Sequence, residues 1–146
     1  MIELFDIKIW RYERKFVVSE FLQQKIELII RLHPALFSEI HHQRWVNNIY
    51  FDSFSARNYH DNIEGLRNRV KVRIRWYGSF WGKVKEPMLE FKLKEGILGA
   101  KKIFPLSPFF IDEKIGVTGI NDMIRNSDLP DLVKTYLSPL TPCLLN

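Results

Sequence analysis

The stretch that decides the fold is RNRVKVRIRWYG, which runs from Arg67 to Gly78. Basic residues occupy every odd position as far as Arg75, and apolar residues occupy the even positions from Val70 to Trp76. Successive side chains of a β-strand point to opposite faces of the sheet. The alternation therefore predicts a strand with one cationic face and one apolar face.

The cationic face of this strand is electrostatically unfavourable unless it has an anionic partner. Neighbours on one face of a strand lie roughly 7 Å apart. At an effective dielectric constant of about 20, two like charges at that distance repel by about 2 kcal/mol. A solvent-exposed charged face is the ordinary alternative, but a row of five cations has no stabilising purpose there. We therefore favour a positive field that binds a polyanion.

The composition is that of one globular domain spanning residues 1–146, with 46% hydrophobic and 27% charged residues. A net charge of +5 favours an anionic partner, which could be nucleic acid, a membrane surface or phosphate. The single cysteine, Cys143, excludes an internal disulfide. The first ten residues contain charges and so lack the apolar core of a secretory signal, and no apolar run is long enough to span a bilayer. The default expectation is a cytoplasmic, soluble chain.

The rest of the chain predicts an α+β fold with an antiparallel sheet. Besides the stretch above, strands are predicted within residues 7–16, 44–52 and 87–96, and a short fifth strand within 96–106. Helices are predicted after Ser19, within the polar segment SFSARNYHDNI, and between Gly116 and Leu137 with a break near Pro130. The residues that alternate with the charged ones along these strands lie on the opposite face of the sheet, and we expect them to pack against helices. They are Trp10, Tyr12, Val72, Ile74, Phe91 and Leu93.

Four segments in this order carry a family resemblance: RYERKF, NNIYFDS, RVKVRIRWYG and LEFKLKEG. From about Trp10 to Leu106 they resemble the vacuolar transporter chaperone (VTC) domain, the polyphosphate polymerase branch of the triphosphate tunnel metalloenzyme (CYTH-like) superfamily. The resemblance implies an antiparallel β-tunnel with helices outside it. It also implies transfer of the γ-phosphoryl group of ATP to a growing polyphosphate chain, with a divalent metal, manganese or magnesium, and with ATP and polyphosphate or triphosphate as the bound partners. The family's tunnel continues beyond this length, so an incomplete N-terminal half, truncated at the C-terminus and inactive alone, is expected.

The resemblance also assigns residues. Arg73 and Arg75 match the two arginines of the R-x-R-W-Y strand, and Lys92 matches the lysine of E-x-K, so these three are the expected catalytic residues. The expected phosphate-binding set is Arg11, Lys15, Arg69, Lys71, Arg73, Arg75, Lys92 and Lys94. Glu13 and Glu90 are the expected metal ligands, and the alternative is that they are structural salt-bridge partners. In the first strand, hydrolytic members of the superfamily read E-x-E-x-K, whereas this chain has arginine at the first acidic position.

One alternative function and several smaller features stay open. The chain could be a non-catalytic module that binds polyphosphate, nucleotide or RNA, although no specific nucleic acid is expected. An unpaired strand edge would favour self-association. His41-His42 is expected to be a solvated loop, and the segment GILGAKK a turn with two surface lysines.

Overall fold

The computed structural model describes residues 7, 9–14, 17–18 and 23–146. The strands are β1 (Arg11–Tyr12), β2 (Val46–Ser53), β3 (Asn68–Tyr77), β4 (Gly82–Val84), β5 (Met88–Glu95), β6 (Leu98–Pro105), β7 (Phe109–Ile111) and β8 (Leu140–Leu145). The helices are α1 (Gln23–Arg31), α2 (Arg57–Ile63), α3 (Val117–Arg125) and α4 (Asp131–Leu137).

Six strands form one antiparallel sheet in the order β1-β6-β5-β3-β2-β8, and β4 pairs with β7 in a separate ribbon. The alternating strand β3 lies at the centre, where Val72 is opposite Phe91 of β5 and Phe51 of β2. The predicted α+β class with an antiparallel sheet is confirmed. Within the described residues β1 and β8 are the outer strands and do not pair with each other, so this sheet is open and a closed tunnel stays a prediction.

The apolar face of β3 lies in the core, as its alternation predicts. Val72, Ile74, Phe91 and Leu93 are fully buried. Burying a side chain of this size contributes about 1.5–3 kcal/mol each. The period-two pattern therefore determines which face of the sheet is covered.

Two C-terminal helices cover that apolar face. Ile120 and Ile124 of α3 join the same buried cluster, as do Val133 and Leu137 of α4. The helical segment is interrupted before α4, where Pro130 has an extended ψ of 143°. A proline disfavours the helical conformation in the residue before it, so the predicted break is confirmed at this position.

The structure corrects two of the expectations. Tyr12 does not pack under a helix, because its side chain is 75% exposed on the outer strand β1, whereas Trp10 is half-buried against the core. The fifth strand, expected to be short, is confirmed as β6 but is longer than expected, because it pairs with β5 over eight residues. Strand β8, for which the sequence predicted no element, pairs with β2 through a register shift near Tyr50, and as an outer strand it tolerates Pro142.

The described chain forms two compact units. The larger contains the described residues up to Glu13 together with Trp45–Asn146, and it carries the sheet. The smaller lies within Arg14–Arg44 and contains α1, which the helical spacing predicted. The expected capping residue of α1, Ser19, lies outside the described residues. No helix in the described part of the chain has both the length and the apolar character needed to cross a bilayer.

Candidate functional site

The basic side chains of β3 share the face of the sheet opposite the core. The register places Arg73 opposite Glu90 of β5, and Lys71 opposite Lys92. One strand further, Lys92 lies opposite Lys101 of β6. Antiparallel pairing thus collects cations from three strands on one surface, which none of the strands could do alone.

A cavity of about 390 Å³ opens on this face between β1, β6, β5 and β3. We call it the basic pocket. Its lining residues are Arg11, Tyr12, Glu13, Arg73, Arg75, Glu90, Lys92, Gly99, Ala100 and Lys101. Five of these side chains are basic and two are acidic, so the pocket has a positive field despite its internal ion pairs.

Glu90 anchors the two arginines from below. Its Oε2 accepts hydrogen bonds from Nε of Arg73 at 2.8 Å and from Nη2 of Arg73 at 2.7 Å. Nη1 of Arg75 lies 3.6 Å from the same oxygen. The carboxylate is 4% exposed, so removing its partner would leave a buried charge without compensation. Glu90 therefore fixes the position of the arginines on the sheet.

Two residues of β2 hold the arginines from the other side. The hydroxyl of Tyr50 accepts a hydrogen bond from Nη1 of Arg73 at 3.2 Å, and Oδ1 of Asn48 accepts one from Nε of Arg75 at 3.1 Å. The Arg73 guanidinium carbon also lies 5.9 Å from the centre of the Tyr50 ring, within cation–π range. Both guanidinium groups are therefore oriented before any ligand binds.

Lys92 is held more loosely. Its Nζ forms an ion pair with Oε1 of Glu13 at 2.9 Å, and the two side chains are 44% and 29% exposed. Exposed pairs of this kind contribute about 0–1 kcal/mol. Because this ion pair is weak, an anionic ligand can replace Glu13 as the partner of Lys92.

The predicted site residues divide into two groups. Arg11, Glu13, Arg73, Arg75, Glu90 and Lys92 line the basic pocket. The other predicted residues lie elsewhere: Arg69 donates to the carbonyl of Leu66, Lys71 lines a neighbouring cavity, and Lys94 is opposite Arg69 at the far end of β5. Lys15 lies outside the described residues.

Sequence reasoning missed three residues of the site. Lys101 is not on a turn but on β6, where it lines the pocket opposite Lys92. Asn48 and Tyr50 were not identified as partners of the arginines. Alternation along the strands could have identified them. Once β2 and β6 are paired with their neighbours, Asn48, Tyr50 and Lys101 lie on the same face of the sheet as the basic side chains.

The chemistry of the pocket suits a ligand with several anionic oxygens. Arginine offers planar paired donors to phosphate or carboxylate, and lysine supplies a movable point charge. The described residues contain no group of three or more His, Cys, Asp or Glu side chains that could hold a metal ion. Metal binding by Glu13 or Glu90 therefore stays a prediction, and in this structure both pair with basic side chains.

Comparison with known proteins gives one family. The VTC domain matches residues 10–141. No curated protein matches the chain. The matched region includes β1 to β7 completely and every described residue that lines the basic pocket.

Proposed function

The chain belongs to the VTC domain family, a family of polyphosphate polymerases, and we propose that its basic pocket binds the phosphate groups of ATP and polyphosphate. The observation that carries this proposal is the pair of guanidinium groups held side by side by Glu90, Tyr50 and Asn48. Neighbouring arginines in fixed positions suit a ligand with several anionic oxygens. A linear phosphate chain has that property.

The residues have different roles in the proposed complex. Arg73 and Arg75 are the rigid donors, and they hold non-bridging phosphate oxygens. Lys92 exchanges its ion pair with Glu13 for a contact to a phosphate oxygen, since the present ion pair is half-exposed and weak. Lys101 and Arg11 add charge from the two strands beyond β5.

The reaction that this arrangement supports is phosphoryl transfer. The terminal oxygen of the polyphosphate chain forms a bond to the γ-phosphorus of ATP, while the bond from that phosphorus to the β–γ bridging oxygen breaks and ADP leaves. The transition state is loose, and catalysis depends mainly on positioning and on stabilising charge. Arg73, Arg75 and Lys92 supply both, and no nucleophilic side chain is needed.

A divalent metal, manganese or magnesium, would neutralise part of the phosphate charge when bound. Magnesium is usually held by substrate phosphates and only one or two carboxylates, which suits a pocket with few acids. Glu13 fits that role better than Glu90, because the Glu13 side chain is 29% exposed and the Glu90 side chain 4%.

The second candidate is a module that binds polyphosphate or nucleotide without chemistry. The observation that favours it is the open sheet of the described residues, which presents its cations on one wall. Turnover requires charge stabilisation on several sides of the transferring group. A single wall provides affinity more readily than catalysis.

An assay with ATP, a short polyphosphate primer and manganese separates these candidates. It compares the wild type with the pocket variant Lys92→Ala/Lys101→Ala and with a charge-matched control, Lys83→Ala/Lys85→Ala, whose lysines are exposed outside the pocket. Polymer synthesis by the wild type and the control, and its loss in the pocket variant, supports the polymerase. Binding of ATP and tripolyphosphate without synthesis supports the module. Absence of binding contradicts both.

A further inference from the structure

A second cavity adjoins the basic pocket and has a different chemistry. It has a volume of about 290 Å³ and lies between α2, β2, β3 and β8. We call it the α2 cavity. The lining residues that matter here are Tyr50, Asn58, Tyr59, Asn62, Lys71 and Leu144.

Two residues connect the α2 cavity to the basic pocket. Tyr50 lines the cavity, and its hydroxyl accepts a hydrogen bond from Arg73, which lines the pocket. Lys71 lines the cavity two residues before Arg73 on the same face of β3, which places the two side chains roughly 7 Å apart. The two cavities are therefore lined by neighbouring side chains.

The two spaces differ in the ligand groups that they suit. The basic pocket is lined by seven charged side chains, whereas the α2 cavity is lined by only two, Asp52 and Lys71, together with two tyrosines, three asparagines and apolar side chains. Ligand cavities with apolar and aromatic walls and a few polar groups are typical of sites for uncharged organic groups. A ligand that fills both spaces has an anionic end and a planar, weakly polar end.

We propose that the α2 cavity binds the nucleoside of a nucleoside triphosphate whose phosphates lie in the basic pocket. This inference rests on the proposed function of the pocket. The base stacks on an aromatic side chain, for which Tyr59 is suitable because it is 60% exposed. Asn62, three residues later on the same side of α2, presents an amide that can both donate to and accept from the edge of the base.

The position of α2 is fixed independently of any ligand. The Asp52 carboxylate is buried and accepts hydrogen bonds from the backbone N–H groups of Asn58 at 2.8 Å and Tyr59 at 3.0 Å. These contacts hold the first turn of α2 against β2. Tyr59 and Asn62 are therefore presented by a fixed element, and truncating either exposed side chain should leave the fold intact.

The test measures the affinity of the protein for ATP and for tripolyphosphate by calorimetry, in the wild type, in Tyr59→Ala/Asn62→Ala and in Tyr77→Ala. Tyr77 is a control because it is an exposed tyrosine that lines neither cavity. We expect the double variant to bind ATP about tenfold more weakly, as loss of one base–aromatic stack predicts. Its affinity for tripolyphosphate should stay within about twofold of the wild type, and Tyr77→Ala should match the wild type for both ligands.

Two other results would overturn the inference in distinguishable ways. If the double variant binds ATP as tightly as the wild type, or if its affinities for ATP and tripolyphosphate fall by the same factor, the α2 cavity does not hold the nucleoside, whereas binding of tripolyphosphate by the wild type still supports the basic pocket. If the wild type binds neither ligand, the proposed function fails and the nucleoside site fails with it. Circular dichroism of each variant confirms that the fold is retained before affinities are compared.

Discussion

Arg73 and Glu90 face each other across β3 and β5, and the guanidinium holds the carboxylate through Nε and Nη2 at 2.8 and 2.7 Å. The pair sits at the floor of the basic pocket, with the carboxylate buried beneath the guanidinium. It therefore links the stability of the sheet to the geometry of the site.

Arg73→Ala should destabilise the protein by about 3 kcal/mol, because it leaves the Glu90 carboxylate buried without its main partner. The expected loss is at the lower end of the usual range, since Arg75 remains 3.6 Å from Glu90. Urea unfolding measures the change. The double variant Arg73→Met/Glu90→Leu should recover most of the lost free energy, because it removes both charges together. A single-variant loss below about 1 kcal/mol would show that the pair is solvated.

Ile74→Ala should cost about 2–5 kcal/mol of unfolding free energy, since Ile74 is fully buried on the apolar face of β3. The matched control is Tyr12→Ala, which removes an exposed side chain from the outer strand and should change stability by no more than about 0.5 kcal/mol. Equal effects of the two substitutions would contradict the assignment of the two faces.

Tyr50→Phe should weaken tripolyphosphate binding severalfold. The substitution removes the hydroxyl that accepts a hydrogen bond from Arg73, but it keeps the ring that lies within cation–π distance of the guanidinium. Because the effect acts through Arg73, ATP and tripolyphosphate should lose affinity by the same factor. If only the affinity for ATP falls, the Tyr50 hydroxyl acts on the part of ATP that lies in the α2 cavity and not through Arg73.

The Cys143 thiol should react slowly with iodoacetamide at pH 8 compared with a cysteine in a short peptide. Partial burial raises the pKa of this thiol, and the nearby Asp52 carboxylate raises it further. A raised pKa means less thiolate at a given pH, so the rate should increase as the pH rises above the ordinary thiol value. The free energy of unfolding should change in the opposite direction. Because the folded state holds the thiol proton more tightly than the unfolded state, this free energy falls as the pH rises above the ordinary thiol pKa. A rate equal to that of the peptide at pH 8 would contradict this environment.

Period-two alternation was sufficient to predict both faces of β3 and β5. Val72, Ile74 and Phe91 are buried as predicted, while Arg73 and Lys92 line the pocket. The prediction succeeds for central strands because both neighbours and the covering helices enforce one register, and a slip by one residue would bury the charges.

The same reasoning was weaker at the edges of the sheet. Tyr12 lies on the outer strand β1, where it is exposed and lines the basic pocket beside Arg11 and Glu13 instead of packing under a helix. Lys101 was placed in a turn because Gly96 and Gly99 lower the strand propensity of the segment. Pairing with β5 overrides that propensity, and Gly96 instead makes the turn with a φ of +57°.

Contacts between distant side chains were beyond the reach of the sequence. The approach of Asn48 to Arg75 and of Glu13 to Lys92 depends on the order β1-β6-β5-β3-β2, which no local pattern encodes. The family resemblance identified Arg73, Arg75 and Lys92 as basic residues of the site, but not Lys101. It did not supply the partners that orient them.

The most direct test of the central claim is the affinity for tripolyphosphate measured by calorimetry at several salt concentrations. The comparison is between the wild type, Lys92→Ala/Lys101→Ala and the charge-matched Lys83→Ala/Lys85→Ala. If the basic pocket binds phosphate, the first variant should lose at least about tenfold in affinity, and the dependence of its affinity on salt should become shallower as contacts to phosphate are lost. The control should stay close to the wild type. Equal losses in the two variants would mean that overall charge attracts the anion, and would contradict a specific phosphate site on this face of the sheet.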